Sequence, residues 1–119
     1  MAQYMFRTTA TMKEYNRKHW YIEPSIIGTK YINAESVREA LQAYADEVTQ
    51  HDYITISANA LRNKLPMYID TPNGQPQQVG YVITGKTEMQ RNDYSWSTQY
   101  IDLWVSVDRI ESVDFEEAV

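Results

Sequence analysis

The clearest hydrophobic pattern in the chain is a helical one, over residues 33–49. Apolar residues recur at offsets of 0, 4, 7, 8 and 11, one stripe of a 3.6-residue period. The residues of this stripe are Val37, Leu41, Tyr44, Ala45 and Val48. Ser36 and Glu39 have the spacing of a capping box, in which the glutamate reaches back to the Ser36 N–H. The sequence therefore predicts an amphipathic helix over about 36–49.

Most other segments alternate between apolar and polar residues, which is typical of β-strands. Strands are predicted at 3–12, 25–32, 53–57, 67–70, 78–84 and 96–107. In the first strand, the residues expected to face the helix are Tyr4, Phe6, Thr8 and Ala10. In the last strand, the residues expected to face the core are Ile101, Leu103, Val105 and Val107. Tyr100, Asp102 and Trp104 then face outward, because the opposite register would bury the Asp102 carboxylate.

Turn signals separate these strands. Gly28 predicts a bend, residues 58–64 predict one helical turn, and residues 71–76 (TPNGQP) predict the turn of a hairpin. The polar segment 85–95 is expected to be an exposed hairpin tip. Residues 13–24 have no clean period, and the sequence leaves helix and strand open there.

The elements together predict an α+β fold, a mostly antiparallel sheet of four to six strands with one amphipathic helix packed on one face. The length of 119 residues suits a single domain over 1–119. The opposite sheet face is then exposed or covered by a partner.

The composition adds two features to this picture. Ten Tyr and three Trp against two Phe give an aromatic surface with polar ends, which suits interfaces. The formal net charge is −5, with an excess of +3 over residues 1–34 and of −5 from Asp102 onward. Residues 111–119 are expected to form an acidic C-terminal tail. An acidic tail repels nucleic acid and favours solvent or a basic partner.

Candidate catalytic groups are few. The absence of cysteine excludes disulfides and thiol chemistry, and the two histidines, His19 and His51, have no metal-ligand spacing. His51 follows the predicted helix, where the helix dipole favours a cation. We expect no enzyme activity, no metal and no cofactor.

Protein binding is the leading hypothesis, because Tyr and Trp are the usual anchors of interfaces. The expected contact residues are Tyr100, Asp102, Trp104, Asp114, Glu116 and Glu117. The alternative is a binder of single-stranded nucleic acid, since cations lie beside stacking rings at Arg17, Lys18, Trp20 and Tyr21. A third hypothesis is a self-associating phage structural protein. The acidic net charge disfavours direct nucleic-acid binding.

Several stretches resemble short open reading frames of phages and mobile elements of Firmicutes. They are WYIEPSIIGTKYINAESVREALQAYADEV, YITIS, QVGYVITGKT and QYIDLWVSV. The step from a strand into NAESVREAL is also similar to small mobile-element proteins of the DpnD/PcfM-like type. The resemblance implies an accessory protein of the bacterial cytoplasm that binds and inhibits a host defence enzyme of the CRISPR or restriction kind. No apolar run is long enough to span a membrane, and no membrane association is expected.

Overall fold

The computed structural model describes residues 2–12, 25–92 and 95–111. It forms an α+β fold, a five-stranded antiparallel sheet with helices against it. The strands are β1 (Ala2–Met12), β2 (Ser25–Ala34), β3 (Leu65–Asp70), β4 (Pro76–Asn92) and β5 (Ser95–Ile110). The helices are α1 (Val37–His51) and the short α2 (Ala58–Arg62). The strand order β2-β1-β5-β4-β3 brings the two ends of the described chain together, with β5 paired to β1.

Helix α1 begins where the sequence predicts. The Ser36 side chain accepts a hydrogen bond from the Glu39 N–H at 3.2 Å. Glu39 reaches back one residue further than a simple capping box requires, because its carboxylate accepts from the Glu35 N–H. The buried stripe also differs by one position. Val37 is exposed and Ala40 is fully buried, so the buried side of α1 begins at Ala40 and not at Val37.

The core lies between α1 and one sheet face. Tyr44 of α1 stacks on Phe6 of β1, with ring centroids 4.8 Å apart. The predicted inward residues of β1 are all buried, and in the centre of the sheet Leu103, Val105 and Ile83 have no exposed surface. The alternation predicted for the first and last strands is thus confirmed.

Residues 53–57 do not form the strand that their β-branched pattern predicts. Thr55 makes only an isolated bridge to Lys86, with two backbone hydrogen bonds of 2.7 and 3.0 Å. Tyr53 has a positive φ of 58°, and Ser57 already caps α2, so the extended segment is too short to continue. Ile54 and Ile56 are buried, and their apolar character reflects burial rather than strand pairing.

Two turns behave as predicted, and a third does not. Gly28 has φ 111° beside a register shift between Thr8 and Thr9, and Gly74 has φ 79° in the turn between β3 and β4. The predicted exposed tip over 85–95 is wrong for most of its length, because β4 and β5 stay paired as far as Asn92 and Ser95. Backbone hydrogen bonds hold this ribbon, and they need no apolar side chains.

Candidate functional site

The sheet face turned away from α1 is the candidate site, called here the outer face. On β5 it carries Tyr100 and Trp104, whose side chains are 39% and 43% exposed. Between and beside them, Leu103 and Val105 point to the core and are fully buried. The register predicted for this strand is therefore correct, and both aromatic residues lie on the surface.

Trp104 belongs to an apolar row that crosses three strands. Its cross-strand neighbour on β4 is Val82, and the neighbour of Val82 on β3 is Leu65. Leu65 is 63% exposed and Val82 is half-buried. Directly opposite residues of an antiparallel pair have Cβ atoms about 5 Å apart, so these side chains form one continuous strip. We call Leu65, Val82 and Trp104 the outer row.

The indole ring is held in place by the neighbouring strand on its other side. Its Nε1–H donates to the Thr11 Oγ1 on β1 at 3.0 Å. The bond uses the polar edge of the ring and fixes its orientation, while the apolar face remains partly in solvent. A preordered aromatic ring loses little conformational entropy on binding, which favours its use as an anchor.

Asp102 and Tyr100 lie further along the same face. The Thr84 hydroxyl donates to the Asp102 Oδ1 at 3.0 Å across the β4–β5 pair. The Lys86 Nζ lies 5.7 Å from the centroid of the Tyr100 ring, within cation–π range. The structure therefore brings together the three predicted contact residues of β5 and anchors each of them to an adjacent strand.

An exposed ion pair lies further along β5 from Trp104, on the side opposite Tyr100. The Arg7 guanidinium of β1 lies 2.9 Å from the Asp108 carboxylate of β5. Both side chains are about half exposed, so the pair contributes little to stability. An apolar strip with a charged border is the usual anatomy of a protein interface.

A cavity of about 310 Å³ opens beside Tyr100, between β4 and the segment around α2. Its lining is mostly hydroxyl and amide groups, from Thr55, Ser57, Asn59, Asn63 and Thr84, together with Lys86. None of the described residues that line the cavity has a carboxylate or an imidazole. The cavity can accommodate a small polar group.

The remaining predicted site residues lie outside the described residues. These are Asp114, Glu116 and Glu117 of the acidic tail, and Arg17, Lys18, Trp20 and Tyr21 of the nucleic-acid alternative. Both sets stay predictions. His51 is described, and its Nε2 lies 3.9 Å from the Glu47 Oε1 at the end of α1, with both side chains exposed.

Sequence reasoning missed Leu65 and Val82 as part of the surface. The hairpin turn at 71–76 was recognised, and counting residues outward from it sets Leu65 near Val82. The count is wrong by one residue, because β4 contributes one extra residue at the register shift opposite Met67 and Tyr68. The strand order, which places β5 beside β4, was also needed.

Among the described residues, no group of three or more His, Cys, Asp or Glu side chains is arranged to hold a metal ion. No helix in the same ranges is both long and apolar enough to cross a bilayer. Comparison of the chain with known protein families, with curated protein sequences and with solved structures finds no match.

Proposed function

We propose that this protein is a non-enzymatic protein-binding module whose contact surface is the outer face around Trp104. The observation that supports this most is the outer row, three apolar side chains side by side on a sheet face that neither of the two described helices covers. A monomeric protein rarely leaves such residues contiguous and exposed unless something binds them. Tyr100 and Asp102 extend the surface on one side, and Arg7 and Asp108 border it on the other.

Trp104 is the proposed anchor of this surface. Interface energy is concentrated in a few residues, among which Trp and Tyr are enriched. Trp104 lies in the middle of the sheet, with β1 on one side and β4 on the other, and so at the centre of any partner's footprint. Truncating it is expected to weaken partner binding by about 2 kcal/mol or more.

The proposed partner is a host enzyme that acts on nucleic acid, and the proposed effect is inhibition of the anti-CRISPR or anti-restriction type. The net charge of −5 supports this, because carboxylates compete with phosphate for the Lys and Arg of a nucleic-acid groove. The resemblance to accessory proteins of phages and mobile elements supports the same partner class. The acidic residues Asp114, Glu116 and Glu117 supplement the Trp104 surface in this proposal.

The test is an affinity capture from bacterial lysate with and without nuclease, read by mass spectrometry. The baits are the wild type, Trp104→Ala and Tyr53→Ala. The last is a control, because Tyr53 is 91% exposed and belongs to the segment between α1 and α2, outside the strands of the sheet. The proposal is supported if the wild type and Tyr53→Ala capture an enzyme whether or not nuclease is added, and Trp104→Ala does not capture it. Prey that disappear on nuclease treatment would shift the function to nucleic-acid binding by residues 17–21.

The variant needs a stability control. Trp104→Ala is expected to lose only about 1 kcal/mol of folding free energy, since the exposed indole gives up one hydrogen bond to Thr11. Leu103→Ala, one residue away in the core, is expected to lose about 2–5 kcal/mol. Equal losses would mean that Trp104 serves the fold, and the proposed contact surface would be wrong.

A further inference from the structure

The two edges of the sheet differ in how they are protected against pairing with another chain. At one edge, β2 is interrupted by the bulge at Gly28 and carries Lys30, which forms an ion pair with Asp52. Bulges and lysines are common devices against edge pairing. At the other edge, β3 carries no basic residue and no bulge of its own, and the extra residue at its register shift lies in β4.

The side chains of β3 are unusually apolar for an edge strand. Leu65, Tyr68 and Ile69 are 63%, 57% and 51% exposed, and Asp70 is the only charged residue in the strand. An exposed hydrophobic edge strand is a template for another strand.

Two-fold symmetry restricts how β3 can pair with a second copy of itself. If two copies pair antiparallel with their outer faces continuous, the axis passes midway between one residue and its equivalent in the other copy, and that residue is said here to lie on the axis. With Met67 on the axis, Leu65 lies opposite Ile69 of the other copy and Pro66 lies opposite Tyr68. Every exposed apolar side chain of β3 then has an apolar cross-strand partner, an arrangement that stabilises a sheet.

The charges next to β3 fit the same register. Lys64 precedes the strand by one residue and Asp70 ends it, so both are three residues from Met67. Pairing about Met67 therefore sets Lys64 opposite Asp70 at both ends of the ladder. Asp70 is exposed and makes no ion pair within the described residues. The Lys64 Nζ donates to the Leu61 carbonyl at 3.4 Å and lies 5.4 Å from the centroid of the Tyr81 ring, so its contacts include no carboxylate in the part of the chain that the structure describes. Shifting the axis to Tyr68 sets Asp70 opposite Pro66 and Leu65 opposite Thr71, which loses both matches.

From these matches we infer that the protein forms a two-fold dimer through β3, with Met67 on the axis and a Lys64–Asp70 ion pair at each end. The dimer joins two five-stranded sheets into one of ten strands. Pro66 has no N–H, so its backbone only accepts hydrogen bonds. The apolar and charged side-chain pairs across the axis therefore have to supply part of the stability of the dimer. The inference is argued from the β3 edge alone and not from partner binding. Leu65 belongs to both surfaces, but Trp104, the proposed anchor, lies two strands away from β3.

The first experiment measures mass in solution by light scattering or sedimentation across a range of concentrations. The wild type is expected to show twice the monomer mass of 13.9 kDa and to dissociate on dilution. Asp70→Lys and Lys64→Asp each bring like charges together at both ends, and each is expected to raise the dissociation constant at least about tenfold. The double variant Lys64→Asp/Asp70→Lys restores opposite charges and is expected to recover the dimer.

The charge swap distinguishes this register from other modes of association. A monomeric wild type at every concentration would overturn the inference, and so would a double variant that dimerises no better than the single ones. Trp104→Ala is a matched control that should leave the mass unchanged. If that variant alone abolishes the dimer, the copies associate through the outer face instead, and the β3 register is wrong.

A second experiment uses the absence of cysteine from the chain. Under a mild oxidant, Met67→Cys is expected to form a covalent dimer rapidly, because the two thiols face each other across the axis at a spacing close to disulfide geometry. Tyr68→Cys, one residue further along the same strand, faces Pro66 and is expected to cross-link at least about tenfold more slowly. Equal rates at the two positions would show random collision and overturn the register.

Discussion

The Thr8 hydroxyl and the Tyr44 phenol form a hydrogen bond of 2.5 Å in the core, and it joins β1 to α1. Among the buried residues that the structure describes, Thr8 is the one with a short polar side chain, and Tyr44 has no exposed surface. A buried hydroxyl without a partner is costly, so each of these groups satisfies the other. The bond therefore helps to set the position of α1 along β1. The apolar contacts around it are less directional and specify that position less closely.

Removing either partner is expected to destabilise the fold. Tyr44→Phe leaves the Thr8 hydroxyl buried without its partner, and Thr8→Val does the same to the Tyr44 phenol, at about 1–3 kcal/mol each. The double variant should lose less than the sum of the two, because it leaves no unpaired hydroxyl. Urea denaturation of the four proteins at neutral pH measures the coupling. Strictly additive losses would mean that the bond contributes no specific stability.

Tyr44 also predicts how stability depends on alkaline pH. Burial raises the pKa of the Tyr44 phenol from its ordinary 10.0 to about 12; the Thr8 hydrogen bond opposes the rise and the Asp52 carboxylate adds to it. The folded state thus holds this proton more tightly than the unfolded state. The resulting stability is complete below pH 10 and decreases as the pH rises from 10 to about 12.

The corresponding measurement is the free energy of unfolding of wild type and Tyr44→Phe between pH 8 and pH 12. Across that window the wild type is expected to lose about 2 kcal/mol more than the variant, since each unit of pKa shift corresponds to about 1.4 kcal/mol. The other nine tyrosines are present in both proteins, so the difference between the two curves isolates Tyr44. Parallel curves would show that the buried phenol does not resist ionisation.

Two glycines of β4 are expected to differ sharply in their tolerance of alanine. A Cβ at Gly80 would lie 1.8 Å from the Val105 carbonyl oxygen, which is backbone in the next strand. A Cβ at Gly85 would lie 2.5 Å from the Ile54 Cγ2, a side-chain methyl that can shift. Gly80→Ala should therefore lose at least about 3 kcal/mol and Gly85→Ala about 1–2 kcal/mol. Thermal unfolding ranks the two, and the reverse order would contradict the close approach of β4 to β5.

The ion pair at the β2 edge is expected to contribute more to stability than the exposed pair on the outer face. The Lys30 Nζ lies 3.1 Å from the Asp52 Oδ2, without the alignment of a good hydrogen bond, and both side chains are mostly buried. Lys30→Met is expected to lose about 1–2 kcal/mol, because it leaves that carboxylate oxygen without a cation. Arg7→Met, which breaks the exposed pair with Asp108, is the matched control. It should lose less than about 1 kcal/mol, because water screens the exposed charges.

Salt provides a second readout for the same two variants. Screening at about 1 M salt should remove most of the Arg7→Met effect and only part of the Lys30→Met effect, because buried charges are screened less. Equal salt sensitivity would mean that water reaches both pairs to the same extent.

Local patterns predicted the single elements well where one face of each element is buried. The 3.6-residue stripe and the Ser36 cap located α1, and the period of two set the faces of β1 and β5, since burial of the wrong face would expose the core residues and bury Asp102. The prediction failed at residues 53–57, where Ile54 and Ile56 are buried without strand pairing, and over 85–95, where polar residues pair. The first segment has buried apolar side chains without forming a strand, and the second has strand hydrogen bonds although most of its side chains are polar, so hydrophobic pattern and strand pairing do not coincide in either.

The amino-acid sequence by itself determined which side of each strand is apolar, where α1 begins and that Trp104 faces away from the core. Only the tertiary structure decided that Val82 and Leu65 lie beside Trp104, that Thr8 meets Tyr44, and that β3 is left at an edge. The physical reason is that side-chain alternation is a local property of each strand. Strand order depends on hydrogen bonds between residues far apart in the chain, and such pairings leave no periodic signal in the sequence.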